Sequence, residues 1–166
     1  AVHALYRGAA VAPIEHLFPG VAAGGMIDRR ELARRLLDAP ERLREVEAIV
    51  HPLVRNQIAD FFAAADGRGE KLAVADIPLL YEGGFDYGLD AVIVTAVDEA
   101  VQRQRALARP GMTVEKLETL LARQLPQSEK RQRADHVLDT ASTIEETRQN
   151  VQDLVNDYRL RPRGES

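Results

Sequence analysis

The segment Asp76-Ile77-Pro78-Leu79-Leu80-Tyr81-Glu82 carries the most pointed chemistry in the sequence. It closes a short apolar run, residues 72–77, that reads as a strand buried on both faces, as parallel strands are. An acid at the C-terminal end of such a strand lies where α/β sheets bind ligands. Asp76 could there hold a magnesium-bound water, as the second acid of phosphate-loop enzymes does. Pro78 then turns the chain and presents Leu79 and Leu80 along a cleft wall. A capped strand end with two core leucines fits the same residues, and spacing alone does not separate the two readings.

Two further groups could hold anions. His51 stands beside Pro52 in an otherwise helical stretch. An imidazole there could bind a phosphate or a ribose, or simply hydrogen-bond locally and fix the kink. Gln102-Arg103-Gln104-Arg105-Ala106-Leu107-Ala108-Arg109 reads as a helix with three arginines. Arg105 and Arg109, spaced i and i+4, would share a face and repel, a cost that a bound anion relieves. Pro110-Gly111 follows as a hinge-like break, so the helix has the form of a mobile phosphate-closing lid. A solvated charged face is the other reading. Arg123, Lys130, Arg131 and Arg133 extend the positive character, diluted by Glu129 and Asp135.

Several chemistries are excluded. The pattern G-x-x-x-x-G-K-[ST] does not occur. The glycines of residues 20–25 have no preceding strand and read as a flexible turn, and Gly67-Arg68-Gly69-Glu70-Lys71 precedes a strand where a phosphate loop must follow one. Cysteine is absent, which removes disulfides, thiolate catalysis and Cys-zinc sites. A net charge of −4 argues against general polyanion binding, and 5% aromatic residues without Trp argue against base-stacking platforms. No nucleic-acid partner is therefore expected. All but three of the 22 basic residues are Arg. That suits bidentate phosphate contacts, although genomic base composition gives the same bias. No apolar run approaches the roughly 20 residues of a membrane span, and no signal peptide opens the chain. A soluble, cytoplasmic protein is expected.

These residues need a scaffold, and 166 residues suffice for about one domain with a real core. Val2, Leu5 and Tyr6 share a face of a first helix, which breaks at small residues, Pro13 and Pro19. Asp28 is placed to cap a helix through Leu37. Pro40 fits a helix first turn. Leu43, Val46, Ile49 and Val50 form a helical face that His51-Pro52 interrupts; Leu53 to Ala65 resume it until Asp66-Gly67. Residues 91–97 are the clearest strand and 136–138 a weaker one. Helices are expected over about 98–108, 113–123, 127–134 and 143–158, the last with Ile144, Val151, Leu154 and Val155 as its apolar face. The tail from Arg159 is expected to fray. Strands alternating with helices predict an α/β domain with a parallel sheet.

Five segments in order resemble dephospho-CoA kinase: Asp28-Arg29-Arg30-Glu31-Leu32, Glu47-Ala48-Ile49-Val50-His51-Pro52-Leu53-Val54, Asp76 to Glu82, Gln102 to Arg109, and Pro126-Gln127-Ser128-Glu129-Lys130-Arg131-Gln132-Arg133-Ala134-Asp135. The resemblance runs from Ala1 to about Tyr158. It implies transfer of the γ-phosphoryl of ATP to the ribose 3′-hydroxyl of dephospho-CoA, the last step of coenzyme A synthesis, with Mg2+ required. It implies a P-loop NTPase-like three-layer α/β/α fold, with a helical CoA-acceptor region over about 1–70 and a lid over about 98–125. Arg105 and Arg109 would be the catalytic lid arginines on the phosphates. His51, Pro78, Leu79, Leu80 and Glu82 would shape the acceptor site. Thr140 and Ala141, within Asp139-Thr140-Ala141-Ser142, would lie by the adenine, where the family usually shows Asn and Gly. Pro110 stands where the family often has Asp.

The family opens with a strand, the phosphate loop, a helix, a second strand and a catalytic-base Asp, which the sequence lacks. The expectation is a single partial kinase domain, residues 1–166, missing its first βαβ unit, with a gap of roughly 9–10 Å between strands 72–77 and 91–97. As written, the chain is expected to be inactive. A non-catalytic CoA- or nucleotide-binding module is the alternative. A purely structural helical interaction domain is a third reading, against which the strands count.

Overall fold

The computed structural model describes residues 2–160; Arg159 and Leu160, expected to fray, close the last helix, and the rest of the expected tail lies outside the described residues. The chain forms two compact units, Ala1–Ala73 and Val74–Ser166.

In the first unit, apolar residues at helical spacing close a core around Leu5, Ala10, Ile14, Phe18, Val21, Ile27, Leu32, Val46 and Val50. The elements are α1 (Val2–Leu5), α2 (Val11–Leu17), a two-strand hairpin β1 (Ala22–Ala23) and β2 (Met26–Ile27), α3 (Arg29–Asp38), a 3-10 turn (Pro40–Arg42) and α4 (Leu43–Gly67). Pro13 does not break the chain as expected. It lies in the first turn of α2, where a missing N–H has no intrahelical acceptor to lose. The glycine stretch forms a turn as expected: Gly24 and Gly25, at φ 58 and 76, are the two-residue connection between β1 and β2. Two consecutive positive φ values are what a tight hairpin turn demands and glycine supplies. Glu15 clasps the loop before β1, accepting from the Gly20 and Ala22 N–H groups at 2.6 Å each.

Asp28 caps α3 as expected, accepting from the N–H groups of Arg30 and Glu31. Pro40 opens the 3-10 turn. The expected interruption at His51-Pro52 does not occur: α4 runs unbroken from Leu43 to Gly67. Pro52 cannot donate to the Ala48 carbonyl, but both residues are exposed, so water can satisfy that group. Buried Val46 and Val50 before the proline, and Ile58 and Ala65 after it, anchor both halves.

In the second unit, β3 (Ile93–Ala96) and β4 (His136–Asp139) pair in parallel, with Val94 opposite Val137. A parallel pair needs a long crossover. Here it is α5 (Glu99–Leu107), α6 (Val114–Leu121) and α7 (Gln127–Arg133), and α8 (Ile144–Leu160) follows β4. β3 is shorter than its expected span of 91–97, β4 runs one residue past 136–138, and the helices fall close to their expected spans.

The expected strand over residues 72–77 is not formed; no ladder pairs it among the described residues. It is not buried on both faces either. Val74, Asp76 and Pro78 are exposed, while Ala73, Ala75 and Ile77 are half-buried. The apolar run has strand-like alternation, but a strand exists only through a partner's backbone groups. It does not pair with β3.

Candidate functional site

The C-terminal ends of β3 and β4 are where a parallel sheet presents ligands. Thr140, the residue after β4, is fixed there twice: its N–H and its hydroxyl both donate to the Ala96 carbonyl at the end of β3, at 2.9 and 3.1 Å. Asp139 accepts from the Ala141 N–H at 2.7 Å, which bends the loop into α8. Arg105, on the last turn of α5, donates through Nη1 to the Thr140 carbonyl at 2.8 Å. The structure thus brings three expected site residues, Arg105, Thr140 and Ala141, to one place. A groove of ≈ 620 Å³ opens beside them, lined by Arg105, Thr140, Ser142, Ile144, Thr147, Arg148 and Val151.

Of the α8 residues in that groove, the sequence places Ile144 and Val151 on the helix's apolar face and singles out neither Thr147 nor Arg148. Ile144 is 73% exposed and Val151 40% exposed, so this part of the helix's apolar face looks into the groove rather than a core. Their spacing with Arg148, i, i+4 and i+7, puts all three on one face, a signal present in the sequence but shared with any packed helix.

Arg109 does not share a helical face with Arg105. Helix α5 ends at Leu107 with Ala108 as its C-cap, and Arg109 belongs to the following turn, where its N–H donates to the Ala106 carbonyl. Arg109 is exposed, and its side chain makes no ion pair with any described residue. Pro110-Gly111 completes the turn, with Gly111 at φ 76. The third arginine, Arg103, is pinned across to Glu118 of α6 and joins the two helices into one hairpin.

After Asp76, Pro78 to Gly84 form a tight turn held by Gly83 N–H to the Leu79 carbonyl at 3.0 Å. Leu79 takes φ 57, the one non-glycine residue in the left-handed region among those described. That conformation is costly for a residue with a Cβ, and such strain clusters at working sites. Leu79 is also exposed, Leu80 half-buried. Glu82 points elsewhere: one carboxylate oxygen accepts from the Leu125 N–H at 2.8 Å and faces Lys130 Nζ at 3.7 Å. Burial alone would raise its pKa, but the Leu125 N–H and the Lys130 ammonium outweigh it and hold the carboxyl below its usual range. Tyr81 lies under the Arg133 guanidinium, 4.4 Å from ring centre to Cζ. Burial pushes its phenol upward, against the Arg133 charge.

Asp76 is exposed, and no group of three His, Asp or Glu among the described residues could cage a metal ion. A lone carboxylate supplies too few donors to hold a Mg2+ unaided. His51 is exposed on α4 in the other unit and makes no hydrogen bond or ion pair with the described residues, so it does not fix a kink. No helix of the described residues is long and apolar enough to cross a membrane.

These features have known counterparts. The family model for dephospho-CoA kinase matches residues 9–146. A dephospho-CoA kinase of Rhizobium meliloti is 51% identical over 158 residues, which are 95% of this chain and 81% of that protein. One of Rhodopseudomonas palustris is 47% identical over 93% of the chain and 77% of that protein. A Thermus thermophilus protein of solved structure superposes with TM-score 0.70 at 30% identity, over 97% of this chain and 82% of that one. A Campylobacter jejuni dephospho-CoA kinase shares the fold, with TM-score 0.66 at 21% identity over 94% and 80% of the two chains. The chain belongs to the dephospho-CoA kinase family. Its fold class is accordingly the mixed α/β, P-loop-like kinase fold with a parallel sheet.

Proposed function

We propose that the protein serves ATP-dependent phosphorylation of the ribose 3′-hydroxyl of dephospho-CoA, giving coenzyme A in the final step of its synthesis. The γ-phosphorus bond to the β-phosphate oxygen breaks, a bond to the 3′-oxygen forms, and the hydroxyl proton is lost. Such a transfer depends mainly on positioning and charge stabilisation. The observation that carries this reading is the junction of Arg105 with Thr140 and Ala141 at the ends of the parallel strands, in a chain of this family.

In this reading the adenine of ATP occupies the groove beside Thr140 and Ala141, and Arg105 and Arg109 face the phosphates. Leu79 and Leu80, presented by the turn at Pro78, contact dephospho-CoA, and His51 serves the acceptor region of the first unit. Mg2+ supplies charge neutralisation on the phosphates when bound, with Asp76 contacting one of its waters. ATP and dephospho-CoA are the small-molecule partners, and the enzyme works in the cytoplasm as one kinase domain with an acceptor region and a lid.

A second reading is a module that binds CoA or a nucleotide without turnover. A coupled ADP-release assay alongside titrations with ATP and dephospho-CoA tests both. The chain by itself is expected to bind both ligands without releasing ADP. Steady turnover would overturn the claim of inactivity, and failure to bind either ligand would overturn both readings.

A further inference from the structure

We propose that Glu82 is a positioning residue that ties the acceptor turn to the foot of the lid, so that turn and lid are held as one piece. The inference deepens the proposed function and rests on it only for what the turn and the lid bind.

The connection can be followed atom by atom. Glu82 accepts from the Leu125 N–H at 2.8 Å, 43 residues away, just before α7 begins. Lys130 Nζ, at 3.7 Å from the same carboxylate oxygen, also donates to Gln124 Oε1 at 3.2 Å, bracing the segment between α6 and α7. Tyr81 adds a second hold on α7 through the Arg133 guanidinium. From α7, Gln127 Nε2 donates to Gln102 Oε1 at 2.6 Å on α5, one turn before Arg105, whose guanidinium reaches the Thr140 carbonyl. A continuous set of contacts thus runs from the turn at Leu79 to the loop at Thr140.

Two arguments favour this role over direct substrate contact. The Glu82 side chain is only 13% exposed, and its carboxylate is already committed to a cation and an N–H. A free carboxylate would also repel an acceptor bearing phosphates, whereas a paired one does not. Leu79, three residues earlier, keeps its strained φ only if its surroundings over-determine it, and Tyr81 and Glu82 supply that restraint.

Hydrogen exchange by mass spectrometry on the 166-residue chain, with dephospho-CoA titration, tests the proposal in Glu82→Ala and Glu82→Gln. Glutamine keeps the carbonyl oxygen that accepts from Leu125. Glu82→Ala is expected to speed exchange about tenfold at Leu125 and across 108–127, and to weaken dephospho-CoA binding about tenfold. Glu82→Gln is expected to stay within about twofold of the parent in both. Equal loss of binding in the two variants with Leu125 still protected would mean direct substrate contact and overturn the proposal. Faster exchange confined to Leu125 would overturn it as well. Should Glu82→Ala fail to fold, Lys130→Met takes its place, with faster exchange over 124–130 expected and no change overturning the proposal. A parent chain that binds no dephospho-CoA removes the proposed function alone, because the exchange comparison still decides the tie.

Discussion

Arg105 and Thr140 meet across 35 residues of sequence: the guanidinium Nη1 donates to the threonine carbonyl at 2.8 Å. The contact joins the last turn of α5 to the loop after β4. It uses one face of the guanidinium fork and leaves the other donors toward the groove. Arg105→Lys loses the planar fork, so ATP affinity is expected to fall about tenfold, as read by calorimetric titration. An unchanged affinity would mean that the groove is not the nucleotide site.

Arg109 poses a cleaner case, because it holds nothing in place. It has no ion pair with any described residue, so Arg109→Ala is expected to leave the melting temperature unchanged. ATP affinity should nevertheless drop about tenfold. Loss of stability without loss of affinity would show that the residue is structural.

Ile14 is fully buried in the helical core of the first unit. Ile14→Ala leaves a cavity there, and a destabilisation of about 2–5 kcal/mol is expected from chemical denaturation. A cost under about 1 kcal/mol would mean that α2 is not packed as described.

Asp28 holds two N–H groups at the start of α3, at 2.9 and 3.1 Å. Asp28→Ala is expected to cost about 1 kcal/mol, and Asp28→Ser to recover most of it. Equal melting temperatures for the parent and the alanine variant would count against the cap.

Glu31 sets an acid limit. Its hydrogen bonds to Arg34 and then Arg35 bring its pKa down from 4.5 to about 2. The folded value lies below the unfolded one, so the unfolded state takes up the proton first as pH falls. The stabilisation is therefore complete above about pH 5 and is lost progressively as pH falls from there toward 2. The melting-temperature difference between the parent and Glu31→Gln should shrink across that window. A constant difference would show that the arginine pairs do not form in solution.

Much of the scaffold could be read in advance, and the misreadings share a cause. Asp28, Pro40 and the apolar spacing of α3, α4 and α8 act locally, so sequence suffices. Residues 72–77 looked like a buried strand because apolar runs encode willingness to pair, not the presence of a partner. Pro52 looked like a break because the local rule omits the anchors at Val46, Val50 and Ile58 and the solvated Ala48 carbonyl. The site divided the same way. Arg105, Thr140 and Ala141 meet at the ends of β3 and β4, a closeness that no motif in the sequence states. Arg109 left the shared face because the helix stopped two residues early. Glu82 belongs to contacts with Leu125 and Lys130 that no short motif records, and Ile144 and Val151 show that helical periodicity marks an apolar face without saying what covers it.

Leu79 bears on any effort to engineer this protein. Glycine would accept φ 57 without the steric penalty of a Cβ, and the exposed leucine side chain has little packing to lose. A screen for heat resistance would therefore be drawn to this position, where local relief is available. If the turn presents Leu79 to dephospho-CoA, the sturdier variant would be the poorer binder, and selection for durability would run against selection for use.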